Sequence, residues 1–391
     1  MEEAFILGAY RSPVGRLLGG LSALSAPRLA SIVISEGLKK TGLEPSVVDE
    51  VIMGNVISAG LGQNPARQAA MYAGLSETTA AFTVNKVCAS GLKAVSLGAE
   101  AIMLGEADLI VAGGMESMSN APHLIKDLRR GKKYGDSKAI DAMIFDGLLD
   151  CYNGAHMGEL CEHTVNKYRI TREEQDSFAL DSHRKAAEAI RNGSFADEMI
   201  QIKTEGSLVS EDETIRKETS MEALSRLKPA FVENGTITAG NSPGLNDGAA
   251  IMILASGRKA RALGMRPLAR IVGSSSGHLE PKWYTIAPVV SVKNLLKKTG
   301  LKLEEFDLIE ENEAFAAQAI AVMKELSLDP SKVNVNGGAI ALGHPIGASG
   351  ARVLATLVHA LKARKKRLGL ATLCLGGGGA MSMAIEAIEG L

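Results

Sequence analysis

The chain has 391 residues, more than one typical domain holds, so we expect two or three domains. Hydrophobic residues make up 46% and aromatic residues 4%, which favours an α/β protein with large buried sheets. The 43 Lys and Arg balance 44 Asp and Glu, and the net charge of −1 gives no indication of a nucleic-acid or membrane partner. No apolar run approaches the roughly 20 residues that span a bilayer.

The four cysteines show neither a CxxC motif nor the density of a disulfide scaffold. The chain starts with two glutamates before the apolar stretch "AFILGAY", unlike a secretory signal or a mitochondrial presequence. We therefore expect a protein of a reducing compartment, the cytoplasm.

The string "LKKTGL" occurs twice, at residues 38–43 and 296–301. Each copy ends an amphipathic helix at a glycine suited to a left-handed helix stop, and a β-rich stretch follows. Further echoes pair "TVNKVCASG" (83–91) with "KVNVNGGAIALGHPIGASG" (332–350), and "ADLIVAGGMESMS" (107–119) with "LGLATLCLGGGGAMSMA" (368–384). These echoes indicate two duplicated α/β halves, and the alternation of apolar β runs with helices predicts mostly parallel sheets covered by helices.

The stretch from about Ser119 to Asn246 has no counterpart in the other half and is richer in charge. A capping box of Thr171 and Glu174 begins one of its helices, predicted to end at Ile190. We interpret this stretch as an inserted loop domain, because long insertions commonly carry binding or assembly surfaces. The predicted organisation is an N-terminal domain of residues 1–118 with about 247–267, a loop domain of 119–246, and a C-terminal domain of 268–391.

Cys88, in "VNKVCASGLKA", lies between a predicted strand and a helical pattern. A thiol at a helix start gains thiolate character from the helix dipole and from free backbone N–H groups. Taken alone, such a cysteine is more often a buried structural residue than a nucleophile.

His344 lies in the glycine-rich loop "NGGAIALGHPIGASG", and Cys374 ends the apolar strand "LGLATLC" just before four glycines. Bare N–H groups in such a loop can stabilise a developing oxyanion. By the repeat, the loops of Cys88 and His344 correspond, and Asn312, in "NEAFAAQ", is the equivalent of Asn55. We expect two cysteines, one histidine and one asparagine to converge on one cleft, whereas His183 and His359 lie in helical patterns typical of surface or packing positions.

Along essentially its whole length the chain resembles the thiolase family, and most closely its biosynthetic acetyl-CoA C-acetyltransferases (acetoacetyl-CoA thiolases). The motifs "NKVCASG", "NEAFA", "GHPIGASG" and "CLGGGG" match that family's four active-site signatures in order. The resemblance implies an α/β fold of αβαβα layers. It also implies a reversible Claisen condensation of two acetyl-CoA to acetoacetyl-CoA and CoA, with CoA as substrate or product and with no permanently bound cofactor and no metal.

The resemblance also implies a role for each active-site residue. Cys88 would carry the acyl group, His344 would take its proton and polarise the substrate carbonyl, and Cys374 would remove the α-proton of the second acetyl-CoA. One oxyanion hole would use His344 and a water held by Asn312. The other would use the backbone N–H groups of Cys88 and Gly376.

The inserted stretch carries further resemblances. Residues 145–158 match the loop that covers a short acyl group and pantetheine, and residues 118–143 match the loop that joins dimers into tetramers, which implies a homotetramer. The positions expected to contact CoA or the acyl group are Leu148, His156, Met157, Arg216, Phe231, Ala239, Ser242, Leu245, Ala314 and Phe315.

Two positions depart from the family. Relatives commonly have Asn-Ala-Ser-Gly where this chain has Asn-Ser-Pro-Gly, and Pro243 has neither the N–H nor the hydroxyl of the serine that contacts pantetheine. Ser242 is the alternative contact. Ala223 likewise replaces a serine near the nucleotide, while Cys151 and Cys161 match no catalytic position and are assigned to packing.

Three other functions stay open at this point. A degradative 3-ketoacyl-CoA thiolase of broad chain-length range shares all four core motifs and differs in the loop around His156 and Met157. A non-catalytic thiolase-like protein that binds acyl-CoA or lipid is a second alternative, since fold alone does not establish function. A cysteine hydrolase built on Cys88 and His344 leaves Cys374 without a role.

Overall fold

The computed structural model describes residues 2–388. The strands in chain order are β1 Ala4–Arg11, β2 Gly15–Arg16, β3 Glu50–Gly54, β4 Ala80–Val84, β5 Leu109–Ser117, β6 His123–Leu124, β7 Ile140–Asp141, β8 Leu149–Asp150, β9 Ala155–His156, β10 Ile202–Lys203, β11 Leu208–Val209, β12 Asn246–Ser256, β13 Ala269–His278, β14 Leu308–Glu311, β15 Leu368–Leu375 and β16 Gly379–Ala387.

The α-helices are α1 Ala26–Thr41, α2 Pro65–Tyr72, α3 Ser90–Leu104, α4 Met157–Tyr168, α5 Arg172–Arg191, α6 Met221–Ser225, α7 Gly257–Ala262, α8 Ala287–Thr299, α9 Ala316–Leu326, α10 Ala339–Leu342 and α11 Ser349–Ala363. A π-helical turn, Met143–Leu148, and a 3-10 segment, Pro281–Ile286, also border the site described below. Helix α5 starts with the predicted capping box, in which Thr171 and Glu174 each accept a backbone N–H of the other.

The large sheet shows the predicted duplication. Its strand order is β14-β15-β16-β13-β1-β12-β5-β3-β4, with β2 paired to β12. Strands β1 and β13 meet through only two residue pairs, Phe5 with Arg270 and Ile6 with Ala269. Outward from this junction the two halves repeat one order, β1-β12-β5-β3 and β13-β16-β15-β14. The position of β4 is taken in the second half by a single parallel bridge at Val333.

Helices cover both faces of each half-sheet, which produces the αβαβα layers. Helices α1 and α2 pack on one face of the first half through buried residues such as Leu29 and Ala69. Helices α3 and α11 lie between the halves, where Leu92 and Leu357 share one apolar core with residues of both. Helices α8 and α9 cover the far face of the second half. The layered fold predicted from the sequence is confirmed.

The prediction of mostly parallel sheets is wrong. Only β3 with β4, β3 with β5, and β14 with β15 run parallel, and the remaining pairs of the large sheet are antiparallel. For β15 and β16 the physical reason is the short turn Gly376–Gly378 between them, because so short a connection can join only antiparallel neighbours. Gly377 and Gly378 have φ values of 79° and 83°, which glycine tolerates without strain. In the first half, residues 118–245 connect β5 to β12 in place of this turn. The insertion therefore leaves the sheet at the corresponding end of its strands.

One segment, Val87–Leu104, is long and apolar enough to cross a membrane by length and composition alone, with a mean hydropathy of 1.5. Most of it is α3, whose residues pack between the two half-sheets. Its apolar character is accounted for by this central layer.

Candidate active site

Cys88 lies in a tight turn between β4 and α3. The preceding Val87 has φ of 48°, an unusual conformation for a β-branched residue. Ser90 holds the turn, since its hydroxyl accepts the Lys86 N–H at 2.8 Å and donates to the Val87 carbonyl at 2.6 Å. The strained turn presents the sulfur at the start of α3.

The Cys88 thiol is protonated in the free protein. Burial raises its pKa to about 11, although the N–H groups of Gly376 and of Cys88 itself donate to the sulfur and lower it. The thiolate character expected from the helix start is therefore outweighed by desolvation. For this sulfur to act as a nucleophile, a base must take its proton.

His344 is oriented by hydrogen bonds to neighbouring residues. Its backbone N–H donates to Asn246 Oδ1 at 2.8 Å, and its ring Nδ1 lies 2.5 Å from Ser349 Oγ. The Ser349 hydroxyl donates to the Pro345 carbonyl at 2.9 Å, so it accepts the proton of His344 Nδ1. This assignment leaves Nε2 unprotonated and free to accept a proton.

The electrostatic surroundings keep the imidazole neutral. Burial, followed by the charge of Arg352, lowers the pKa of His344 to about 3. A thiol with a raised pKa thus faces an imidazole with a lowered one, and at neutral pH both are uncharged.

Asn312 follows β14 directly and is fully buried. Its Nδ2 lies 3.5 Å from His344 Nε2, and among the described residues its Oδ1 has no hydrogen-bond partner. A buried amide oxygen of this kind is suited to accept an N–H or O–H from a ligand or an ordered water. Asn312 thus lies beside the unprotonated Nε2 of His344.

Cys374 is the second-last residue of β15 and is buried. Burial, followed by the neighbouring Cys88 and Glu311, raises its pKa well above the ordinary value. As with Cys88, the free protein holds this sulfur as a thiol. Its thiolate, once formed, is a strong base.

A cavity of about 410 Å³ joins these groups. Three of the predicted active-site residues, Cys88, His344 and Cys374, line it. Asn312 and Gly376 lie behind the lining and contact His344 and Cys88 respectively. All ten predicted CoA and acyl contacts line the same cavity, namely Leu148, His156, Met157, Arg216, Phe231, Ala239, Ser242, Leu245, Ala314 and Phe315.

Aromatic rings form one wall of the cavity. The His156 ring stacks on Phe231 with centroids 4.7 Å apart, and Phe231 meets Phe315 edge-on at 5.9 Å. His156 Nδ1 accepts the Gly158 N–H at 3.1 Å, so Nε2 carries the proton and can donate to a ligand. A side chain at Gly158 would collide with the Phe231 ring, since an added Cβ would lie 2.5 Å from it.

The polar side of the cavity is held by short local contacts. Arg216 donates through Nη2 to the Ala239 carbonyl at 3.2 Å. The backbone N–H of Arg216 donates to His183 Nδ1 at 3.1 Å. Ser242 donates its hydroxyl proton to the Thr238 carbonyl at 2.6 Å. Only the lone pairs of Ser242 therefore remain for a ligand.

Comparison with known proteins decides the family. The profile described as "Thiolase, N-terminal domain" matches residues 4–258, and "Thiolase, C-terminal domain" matches residues 265–387. The chain belongs to the thiolase family. An acetyl-CoA acetyltransferase of Pseudomonas aeruginosa is 51% identical over 390 residues, covering 98% of this chain and 99% of the relative. One of Chromobacterium violaceum is 49% identical over 389 residues, with coverages of 98% and 99%.

Solved thiolase structures superpose on this thiolase over nearly its full length. The crystal structure of the Bacillus anthracis acetyl-CoA acetyltransferase has a TM-score of 0.96 at 44% identity and covers 99% of both chains. The Acat5 thiolase from Ascaris suum, solved in complex with coenzyme A, has a TM-score of 0.94 at 42% identity and covers 99% of this chain and 100% of its own.

Several residues of this thiolase site were missed by sequence reasoning. Tyr284 lines the cavity and donates its hydroxyl to the Met157 carbonyl at 2.8 Å, but no motif surrounds it. Ser349 was within reach, because it lies in the quoted "GHPIGASG" motif five residues after His344. The remaining unpredicted lining residues are Met118, Met143, Ile144, Gly147, Ala230, Pro243, Gly244 and Ile346.

The two other cysteines differ in burial. Cys161 is buried in the cluster that contains Met157 and Cys374, as expected of a packing residue. Cys151 is exposed, so its assignment to packing is wrong. It lies in the short β8–β9 hairpin region, whose tip faces away from the core. Within residues 2–388 no group of three or more His, Cys, Asp or Glu side chains could hold a metal ion.

Proposed function

We propose that the chain is an acetyl-CoA C-acetyltransferase that condenses two acetyl-CoA reversibly to acetoacetyl-CoA and CoA through an acetyl-Cys88 intermediate. The convergence of Cys88, His344 and Cys374 on one cavity, with every predicted CoA contact on its walls, carries this proposal. The full-length relatives named acetyl-CoA acetyltransferase support the choice of reaction.

In the first half-reaction, the Cys88 sulfur attacks the thioester carbonyl of acetyl-CoA while His344 Nε2 takes the thiol proton. The C–S bond to CoA then breaks, and the CoA thiolate takes the Cys374 proton and leaves as CoA. The enzyme now holds acetyl-Cys88, a protonated His344 and a Cys374 thiolate. Covalent catalysis of this kind splits one difficult transfer into two easier steps.

In the second half-reaction, the Cys374 thiolate removes an α-proton from another acetyl-CoA. The raised pKa of Cys374 makes this thiolate a strong base, and the protonated His344, with the neighbouring Asn312, stabilises the enolate oxygen. The enolate carbon attacks the acetyl carbonyl, whose oxyanion accepts from the N–H groups of Cys88 and Gly376. Collapse releases acetoacetyl-CoA, and Cys88 recovers its proton from His344.

A short-chain substrate is favoured over a broad range of fatty acyl chains. Leu148, His156 and Met157 line the cavity together with Cys88 and Cys374 and restrict the space beside the two sulfurs. Rates of CoA-dependent thiolysis of acetoacetyl-CoA and of a long-chain 3-ketoacyl-CoA test this choice. We expect a strong preference for acetoacetyl-CoA. Equal rates would favour the degradative thiolase, and no thiolysis of either would leave a non-catalytic acyl-CoA-binding protein.

We further propose a cytoplasmic homotetramer. The segment of residues 118–143 that resembles a tetramerisation loop exposes apolar side chains, including Ile125, Leu128 and Tyr134. Exposed apolar groups on one loop are typical of an assembly surface. Light scattering on the purified protein would give four times the 41.0 kDa chain mass if this proposal holds. Twice the chain mass would indicate a dimer. The four free cysteines suit a reducing compartment.

A further inference from the structure

Glu116 is a fully buried carboxylate for which the reaction above has no use. It is the second-last residue of β5, the central strand of the first half. Its side chain extends from the first half toward the loop of His344, which belongs to the second half. Such a group is costly to bury unless its oxygens are hydrogen-bonded.

Four N–H donors from two loops meet on this carboxylate. Oε1 accepts from Asn55 Nδ2 at 2.8 Å and from the Ile57 N–H at 3.2 Å. Oε2 accepts from the Val56 N–H at 3.1 Å and from the Gly347 N–H at 2.9 Å. One side chain therefore joins the loop after β3 to the loop that carries His344.

The loops approach Glu116 as closely as the backbone allows. A Cβ added at Gly347 would lie 2.6 Å from the Met115 carbonyl and 2.8 Å from Glu116 Oε2. On the other side of the junction, Ile57 packs with Ile346 and with Cys88 in one apolar cluster. The carboxylate thus fixes the distance between the loop of His344 and the apolar residues that pack around Cys88.

We propose that Glu116 is a positioning residue that sets the loop of His344 against the turn of Cys88 across the boundary between the two halves. This inference rests on the proposed acetyl transfer, because it concerns the geometry that transfer needs. Small displacements of a reacting pair are costly, with about 100-fold in rate for a misplacement on the order of 1 Å.

The charges around Glu116 give the proposal a second readout. Burial raises the pKa of Glu116 to about 7, the backbone donors lower it, and Asp247 on the paired strand β12 raises it. The negative charge of Glu116 in turn raises the pKa of Cys88, which Cys374 and Tyr284 also face. Removal of the carboxylate charge should make Cys88 more acidic even while it misplaces His344.

The test compares Glu116→Gln with Glu116→Asp and with a matched control, Asp49→Asn. Glutamine keeps the shape but offers one acceptor oxygen, and its NH₂ faces two donors. Aspartate keeps the charge but loses reach. Asp49 accepts two backbone N–H groups, of Asp108 and Leu109 at 2.9 and 2.8 Å, at the opposite end of the same strands, far from the cavity.

Two quantities are measured on each full-length variant. For thiolysis of acetoacetyl-CoA, we expect kcat to fall by about 10- to 100-fold in both Glu116 variants, with KM changed by less than about twofold. For alkylation by iodoacetamide, read on the Cys88 peptide by mass spectrometry, we expect the midpoint pH to fall in Glu116→Gln and to stay unchanged in Glu116→Asp. The control should match the wild type in both.

An unchanged kcat in either folded Glu116 variant would overturn the inference. A loss of kcat in Glu116→Gln with no shift of the alkylation midpoint would also overturn it, because that result indicates a general structural defect. Glu116→Asp decides through kcat if Glu116→Gln does not fold. A wild-type protein that fails to cleave acetoacetyl-CoA refutes the proposed function, and the alkylation comparison then still reports on Glu116.

Discussion

The protonation of His344 Nε2 depends on the hydroxyl of Ser349. Ser349 accepts from Nδ1 and donates to the Pro345 carbonyl, so both of its contacts hold the ring in one tautomer. Loss of the hydroxyl would leave Nδ1 without a protein partner and would allow the proton to move to Nε2. A histidine protonated at Nε2 cannot take the Cys88 proton.

We predict that Ser349→Ala lowers kcat for acetoacetyl-CoA thiolysis about fivefold, since one neutral hydrogen bond contributes about 1 kcal/mol and about 1.4 kcal/mol corresponds to a factor of ten in rate. Steady-state kinetics measure the effect. The control is Ser331→Ala, because Ser331 hydrogen-bonds only to Asp329 on the surface. A kcat equal to wild type in Ser349→Ala would show that the tautomer is held by other means.

A second histidine makes stability depend on pH. His183 is buried, accepts the Arg216 N–H, and has its pKa lowered to about 4 by burial and by Arg216. The folded state therefore binds this proton less readily than the unfolded state does. The stability that His183 contributes is present above its unfolded pKa of about 6.5 and is lost as pH falls toward its folded pKa.

We predict that His183→Gln reduces the loss of stability between about pH 8 and about pH 5 by about 2 kcal/mol, because glutamine keeps an acceptor for the Arg216 N–H and takes up no proton. Denaturation midpoints at the two pH values give the comparison. His359→Gln is the matched control, since that buried histidine lies on α11 and places its Nε2 2.8 Å from the Ala9 carbonyl oxygen of β1. Equal pH dependence in wild type and His183→Gln would contradict the assignment.

At this scale the sequence predicted which residues meet at the cavity but not the residues that support them. The motifs around Cys88, His344 and Cys374 are local and readable. Tyr284 and Glu116 reach the site through tertiary contacts with distant segments, so no spacing along the chain marks them. The thiolate character that a helix start favours is outweighed at Cys88 by burial. A helix start can be read from the sequence, whereas the burial cannot.

Among elements, the approach of α3 and α11 sets the distance between the two reactive loops. These helices start directly after Cys88 and shortly after His344, and they meet at glycines. A Cβ added at Gly350 would lie 2.5 Å from the Leu92 nitrogen and 2.8 Å from its Cβ. At Gly91 it would lie 2.9 Å from the Ala351 nitrogen. Backbone atoms cannot move aside as side-chain ends can.

We predict that Gly350→Ala lowers the free energy of unfolding by about 1–3 kcal/mol, as expected of overpacking, and lowers kcat by separating the loops. Chemical denaturation and thiolysis assays measure the two effects. Gly98→Ala, in the middle of α3, is the control, because there the added Cβ meets only side-chain atoms at 3.0–3.4 Å. Equal behaviour of the two variants would mean that the helix crossing tolerates the extra methyl group.

Prediction of elements succeeded where local chemistry determines structure and was wrong where topology does. The capping box of Thr171 and Glu174 was readable and begins α5 as expected. The turn Gly376–Gly378 reverses the chain, so β16 runs antiparallel to β15. The sequence predicts an oxyanion loop at these glycines, and the reversal of the chain was not predicted.

For the whole molecule, duplication explains why one site lies between two halves. The strand order repeats outward from the β1–β13 junction, so corresponding loops of the two halves face each other at the central helix layer. The first half carries Cys88, the proposed nucleophile, and the second half carries His344, Cys374 and Asn312. Neither half holds a complete site. The repeated "LKKTGL" string predicted the two halves only together with the echoes of residues 83–91 in 332–350 and of 107–119 in 368–384. The domain boundaries remain a prediction.

The acetyl-Cys88 intermediate is the central claim, and its direct capture tests it. The full-length protein is incubated with isotopically labelled acetyl-CoA, quenched in acid, digested and analysed by mass spectrometry, beside Cys88→Ala. We predict one labelled acetyl group on the Cys88 peptide, its removal by added CoA, and no label in Cys88→Ala. Labelling of Cys88→Ala to the wild-type extent, or an acetyl group found only on another residue, would contradict the account.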